Sequence, residues 1–193
     1  MAATDDISHL KSINIRSVEI KKRVLMLTED VQRFQEHLRG FVNNEVLVVT
    51  TNIGIEIYYV SNIDYFSYIK QKTALYLAKN TQNSKLKYRN NNTYEKVRQG
   101  FKEAFFTFSK YPQLFLAYVK KLKFVRSQHE HNKIINKALE SFLKEAIDHL
   151  SKQHVIPHVS KVQNASANSA SYKIAPEIIK KLIAEILLKE HSN

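Results

Sequence analysis

The chain has no cysteine and no tryptophan, and only three glycines and three prolines in 193 residues. Without cysteine there is no disulfide, no thiol nucleophile and no thiolate metal site. Scarce glycine leaves few positive-φ turns, which weighs against an all-β fold. It also removes the glycine-rich phosphate loops, since neither G-x-G-x-x-G nor G-x-x-x-x-G-K-[ST] occurs. No apolar run reaches the roughly 18 residues of a membrane span. The opening MAATDDISHL is acidic and lacks an apolar signal segment. A soluble, cytoplasmic protein is expected.

What is present is a core-forming composition with a displaced charge. The chain is 44% hydrophobic and 25% charged, enough to bury a core, and carries a net charge of +12. Residues 1–45 hold seven basic and seven acidic side chains, and 46–61 hold only Glu56. Residues 62–137 hold sixteen basic and four acidic, a net +12, while 138–193 hold seven and six. The whole excess therefore sits mid-chain, where it would attract a polyanion such as nucleic acid or an anionic surface. The plainer reading is a solvated, lysine-rich face.

Periodicity predicts mostly helices. Ile20, Val24, Leu27, Val31, Phe34, Leu38 and Phe41 recur at alternating spacings of four and three, a heptad seam that predicts a helix over 17–42. EVLVVTT and IEIYYV, around Asn52-Ile53-Gly54, are β-branched and aromatic, and leave open a short hairpin or a buried helix at about 46–60. A helix capped by Ser61 or Asn62 is expected to reach Lys79. The polar, basic stretch 80–93 reads as a loop. Within it, Tyr88 and Arg89 beside Lys85 and Lys87, with Tyr94 next along, could form a surface that stacks bases and binds phosphates. Helices follow over 94–110, 113–127 behind Pro112, and 134–150, with a last one opened by Pro176. The fold expected is mainly α, a helical bundle with the 46–60 hairpin left open. It divides into an N-terminal helical region, 1–79, and a C-terminal helical domain, 80–193.

No catalytic constellation stands out, and an enzyme is not expected. His129 and His131 are two apart, a spacing that shares a face on a strand but not on a helix. No third ligand accompanies them, so neither a metal nor another cofactor is expected.

Several residues carry a resemblance. Thr50-Thr51, Val60-Ser61, Tyr65-Phe66-Ser67-Tyr68-Ile69 and Lys72-x-x-Leu75 fall, without gaps, in the places of the helix-turn-helix of TetR-family transcriptional regulators. FKEAFFTFSKYPQLFLAYV is similar to that family's ligand domain. The resemblance implies a dimer that binds double-stranded DNA, with two recognition helices in successive major grooves. Tyr68 and Lys72 would touch phosphates, Thr50 and Thr51 would hold the backbone, and Asn62, Asp64 and Tyr65 would read bases. A small apolar ligand among Phe105, Phe108, Phe115 and Tyr118 would release DNA, and Leu182 and Ile186 would join the homodimer bundle. Two other readings stand beside it. One is a helical adaptor dimerising through the Ile20–Phe41 seam. The other is a basic protein binding nucleic acid or an anionic surface through residues 79–126, including Lys120, Lys121 and Lys123.

Overall fold

Every residue of the segment GIEIYYV is buried. A run apolar on both sides has no solvent face, and a strand meets that condition only when its sheet is covered twice. The computed structural model, which describes residues 6–18, 26–51, 54–77 and 85–152, shows this arrangement. After a short 3-10 turn, Ile7–His9, the elements are β1 (Leu10–Ser17), α1 (Thr28–Val42), β2 (Val46–Thr50), β3 (Gly54–Val60), α2 (Phe66–Tyr76) and β4 (Leu86–Asn91). They are followed by α3 (Tyr94–Ser109), α4 (Pro112–Gln128) and α5 (Lys133–Lys152). All lie in the first of two compact units, Met1–Val159; the second is Ser160–Asn193.

The sheet order is β2-β3-β1-β4, and every neighbouring pair is antiparallel. β1 and β2 therefore run parallel with β3 between them, and β3 and β4 run parallel with β1 between them. Two interleaved split β-α-β units make a β-α-β-β-α-β sheet of ferredoxin-like connectivity. Ile13, Ile15, Val46, Val48, Ile55, Ile57 and Tyr59 pack against Phe34, Leu38 and Val42 of α1 and Ile69 of α2. By strand alternation Ser12, Asn14, Glu56 and Tyr58 face the other way, toward α3–α5.

The expected helical bundle is thus overturned: among the described residues five helices accompany a four-stranded antiparallel sheet. Residues 46–60 form a paired hairpin, from Val46↔Tyr59 to Thr50↔Ile55. Gly54, awkward inside a helix, is required in this strand. A Cβ there would lie 2.1 Å from the carbonyl oxygen of Ile15 on the neighbouring strand. The hairpin occupies the place of a second helix, so no helix-turn-helix forms. The helix expected over 17–42 is also shorter. Residues up to Ser17 are strand, α1 begins at Thr28, and Leu27 is 63% exposed. Ile20 and Val24 lie outside the described residues.

The loop expected at 80–93 contains β4, which completes the sheet by pairing with β1 from Ser12↔Asn91 to Ser17↔Leu86. The sheet therefore crosses the domain boundary expected after residue 79, and the compact unit runs on to Val159. Helices α3, α4 and α5 lie within a residue or two of their expected bounds, with Thr93 capping α3 through its side chain and Pro112 opening α4. Expected features at 160–172 and beyond Pro176 lie outside the described residues.

Candidate functional site

The residues expected to contact DNA occupy different structural posts. Thr50 ends β2, and Thr51 closes the hairpin: its backbone N–H donates to the Gly54 carbonyl at 2.8 Å and its hydroxyl to the same oxygen at 3.0 Å. Asn62 is exposed in the loop after β3. Asp64 is a structural hub. Its Oδ1 accepts from the Phe66 N–H at 2.9 Å, opening α2, and from the Tyr59 hydroxyl at 3.2 Å. Its Oδ2 accepts from Asn90 Nδ2 of β4 at 2.8 Å. This carboxylate ties the start of α2 to β3 and β4.

Tyr65, Tyr68 and Lys72 do come together, but against α1. The Tyr68 ring stacks on Phe41 with centroids 3.6 Å apart, and its hydroxyl sits 2.8 Å from His37 Nε2. Tyr65 meets Phe41 edge-on at 5.3 Å, and the Lys72 ammonium lies 5.5 Å from the centre of the Tyr68 ring. Tyr65 and Tyr68 fasten α2 to α1, while Lys72 packs on Tyr68 of its own helix.

The expected ligand site is packed core. Phe105 meets Phe115 at 4.8 Å and Phe108 meets Tyr118 at 4.5 Å, and none of the four is more than 3% exposed. Two described depressions, of about 420 and 310 Å³, open elsewhere. The first is lined by Lys102, Phe106 and Glu145, the second by Arg39, Glu45 and His131. His129 and His131 meet edge to face at 5.6 Å, and among the described residues no cluster of three metal-ligating side chains forms. Leu182 and Ile186 lie outside the described residues.

Among the described residues the buried carboxylate is Glu56, 4% exposed. Glu56 Oε2 accepts hydrogen bonds from the hydroxyls of Tyr58 and of Tyr118 on α4, both at 2.9 Å. Burial raises the Glu56 pKa, against the lowering effect of the two hydroxyls and of Arg16. Burial also pushes both tyrosines well above their ordinary range. Nearby, Asn91 donates to Ser12 at 3.0 Å, while the side-chain oxygen of Asn14, the residue opposite Glu56, is buried without a partner. The cluster joins the sheet to α4.

The two outer strands are treated differently. At β2, Gln35 accepts from the Val48 N–H at 2.8 Å, and Asn132 donates to the Val46 carbonyl at 2.8 Å. Glu45 takes the Ile134 and Ile135 N–H groups at 3.0 and 2.9 Å, capping α5 beside that edge. These side chains cover the edge and block a further strand. At β4, among the described residues, no comparable clamp reaches the outer edge, which carries cations. Lys85, Lys87 and Arg89 are exposed and alternate with half-buried Leu86 and Tyr88. Same-side residues on a strand recur every ~6.6 Å. Arg16 on β1 lies opposite Lys87 in register. Like charges directly opposite each other destabilise a sheet, yet among the described residues neither has a carboxylate within salt-bridge reach. Arg89 is paired with Glu103. On the other side of the edge, the Lys70 ammonium sits 5.4 Å from the centre of the Tyr88 ring.

The structure therefore divides the basic stretch expected to act as one face. Lys85, Lys87 and Arg89 lie on the β4 edge, whereas Lys120, Lys121 and Lys123 lie on α4, which packs at β2, the opposite edge. Tyr94, grouped with the β4 residues in the sequence, packs instead on Phe142 of α5 at 5.4 Å. Sequence reasoning missed Arg16 and Lys70, because only the strand register and the α2 packing bring them to this edge. Compared with family models, with curated proteins and with solved structures, the chain matches none.

Proposed function

We propose that this chain binds nucleic acid through the β4 edge, by a sequence-independent grip on phosphates. Arg16, Lys70, Lys85 and Lys87 would supply the cations and Tyr88 a partly exposed ring. The observation that carries the reading is the registered pair Arg16↔Lys87. A cross-strand pair of like charges costs stability on its own and gains when an anion lies between its members. Lys85, two residues from Lys87 on the same side, extends the row with the repeat of an extended strand.

Two features argue for an edge rather than a sheet face as the contact. Some four-stranded RNA-binding domains stack bases on aromatics of the open sheet face. In this chain the helices cover both faces at the central strands, where β3 is wholly buried, so base stacking on the middle of the sheet is sterically closed. The β4 edge is the described part of the sheet where cations, an aromatic ring and unpaired strand backbone coincide. Charge-driven binding of this kind requires no helix-turn-helix.

The test is fluorescence anisotropy with labelled single-stranded and duplex oligonucleotides. Lys85→Glu with Lys87→Glu is expected to reduce affinity strongly for every sequence alike. Unchanged affinity in that variant, or strong preference for one sequence, would remove the proposal.

A further inference from the structure

A second cationic surface lies across the sheet from β4. The 17-residue helix α4 carries Lys120, Lys121, Lys123 and Arg126 and no acidic residue. Arg126 is paired with Glu140 at 3.1 Å. Among the described residues the three lysines have no carboxylate within salt-bridge reach. Phe115, Tyr118, Val119, Leu122 and Val125 of the same helix are buried, which fixes the opposite face outward. At 100° per residue Lys120 and Phe124 share the centre of that outer face, one turn apart, with Lys121 and Lys123 on either flank. Phe124 is 43% exposed, a large apolar ring kept in water within a frame of ammonium groups.

We infer that the outer face of α4 is a docking surface for an anionic phospholipid bilayer, with Phe124 entering the interface and Lys120, Lys121 and Lys123 meeting the headgroups. Charge complementarity carries the choice of partner: three ammonium groups without a salt bridge among the described residues share the outer face with the ring. Shape favours a bilayer over a nucleic acid strand. The face is the convex side of a helix, and the two described depressions are lined by residues of other elements. A stacked base would need the open face of the Phe124 ring, and the Lys121 ammonium sits over it, 5.9 Å from its centre. Long lysine stems can hold their charges at headgroup depth while the ring sinks between them. Burial lowers the pKa of Lys121 and of Lys123, the latter further through Arg126, and nearby headgroup phosphates would act in the opposite direction.

This inference is independent of the β4 proposal, and the two fail separately. The chain contains no tryptophan, so Phe124→Trp places a single reporter at the centre of the face. With the full chain, its emission is expected to shift to the blue on vesicles containing phosphatidylserine and to stay unmoved on phosphatidylcholine alone. In vesicle co-sedimentation each lysine is expected to contribute about fivefold near an anionic leaflet, so the triple Lys→Gln variant at 120, 121 and 123 should bind roughly a hundredfold more weakly. That variant should still bind oligonucleotides if the β4 edge is their site. Equal binding to both vesicle types, an unmoved tryptophan, or a triple variant that loses oligonucleotide but not vesicle binding would overturn the inference.

Discussion

Replacing Glu56 with Gln tests the interior directly. The amide keeps the shape of the side chain and an oxygen for the Tyr58 and Tyr118 hydroxyls, both 2.9 Å from the carboxyl in the native chain. It removes the titration and exchanges one oxygen for an NH2 group, a change that does not itself vary with pH. Burial raises the folded pKa above its ordinary 4.5, so the folded chain retains a proton that the unfolded chain releases. The sign follows from linkage: stability falls with pH wherever the native state binds more protons. Below pH 4.5 both states are protonated and wild type and Gln variant should have similar stabilities. Between the unfolded and folded pKa values wild type loses up to about 1.4 kcal/mol per pH unit relative to the variant. Above the folded pKa the gap is constant. The assay is urea unfolding of both proteins at matched pH from the acid limb to pH 8, taking the difference so that every other titrating group cancels. Glu56→Gln should gain stability over wild type as pH rises. A difference that is flat in pH, or that moves the other way, would show that the carboxyl is not desolvated and that the packing of α4 on β3 is wrong.

Three further outcomes follow from the packing. Gly54→Ala should destabilise by about 1–3 kcal/mol in chemical unfolding, because the new methyl meets the Ile15 carbonyl oxygen at 2.1 Å; an unchanged midpoint would place residue 54 outside the β1–β3 ladder. Gln35→Leu should lose about 1–3 kcal/mol by leaving the buried Val48 N–H unpaired, and should speed hydrogen exchange at that amide. Phe105→Ala should lose about 3–5 kcal/mol, since the ring is fully buried against Phe115 and Tyr118; a small loss would revive a ligand cavity there.

The three C-terminal helices were legible because their signals are local. Pro112, the Thr93 cap and apolar residues at three- and four-residue spacing act within each segment. The sheet was less so, because its evidence is split between distant residues. The β-branched run at 46–60 signals a hairpin, yet the strands that complete the sheet are LKSINIRS, which carries no such run, and LKYRNN, whose polar content suggests a loop. LKYRNN is a strand because it is an edge, with one residue in two turned to solvent. The heptad seam misled because its lower half is a real helix face, through Phe34 and Leu38, whereas α1 begins only at Thr28 and Leu27 before it is exposed. The same locality explains the site. Lys85, Lys87, Tyr88 and Arg89 can be grouped from sequence, but Arg16 joins them only through a register spanning some seventy residues.

The most direct test of the proposed function is the salt dependence of oligonucleotide binding. Four cations at the β4 edge without a salt bridge among the described residues, Arg16, Lys70, Lys85 and Lys87, predict a slope of log affinity against log salt of about −2.8 for a single strand or about −3.6 for a duplex. Lys87→Gln should make that slope shallower by about 0.7–0.9 while affecting all sequences equally. A wild-type slope near zero, or a slope that Lys87→Gln leaves unchanged, would contradict a phosphate grip at this edge.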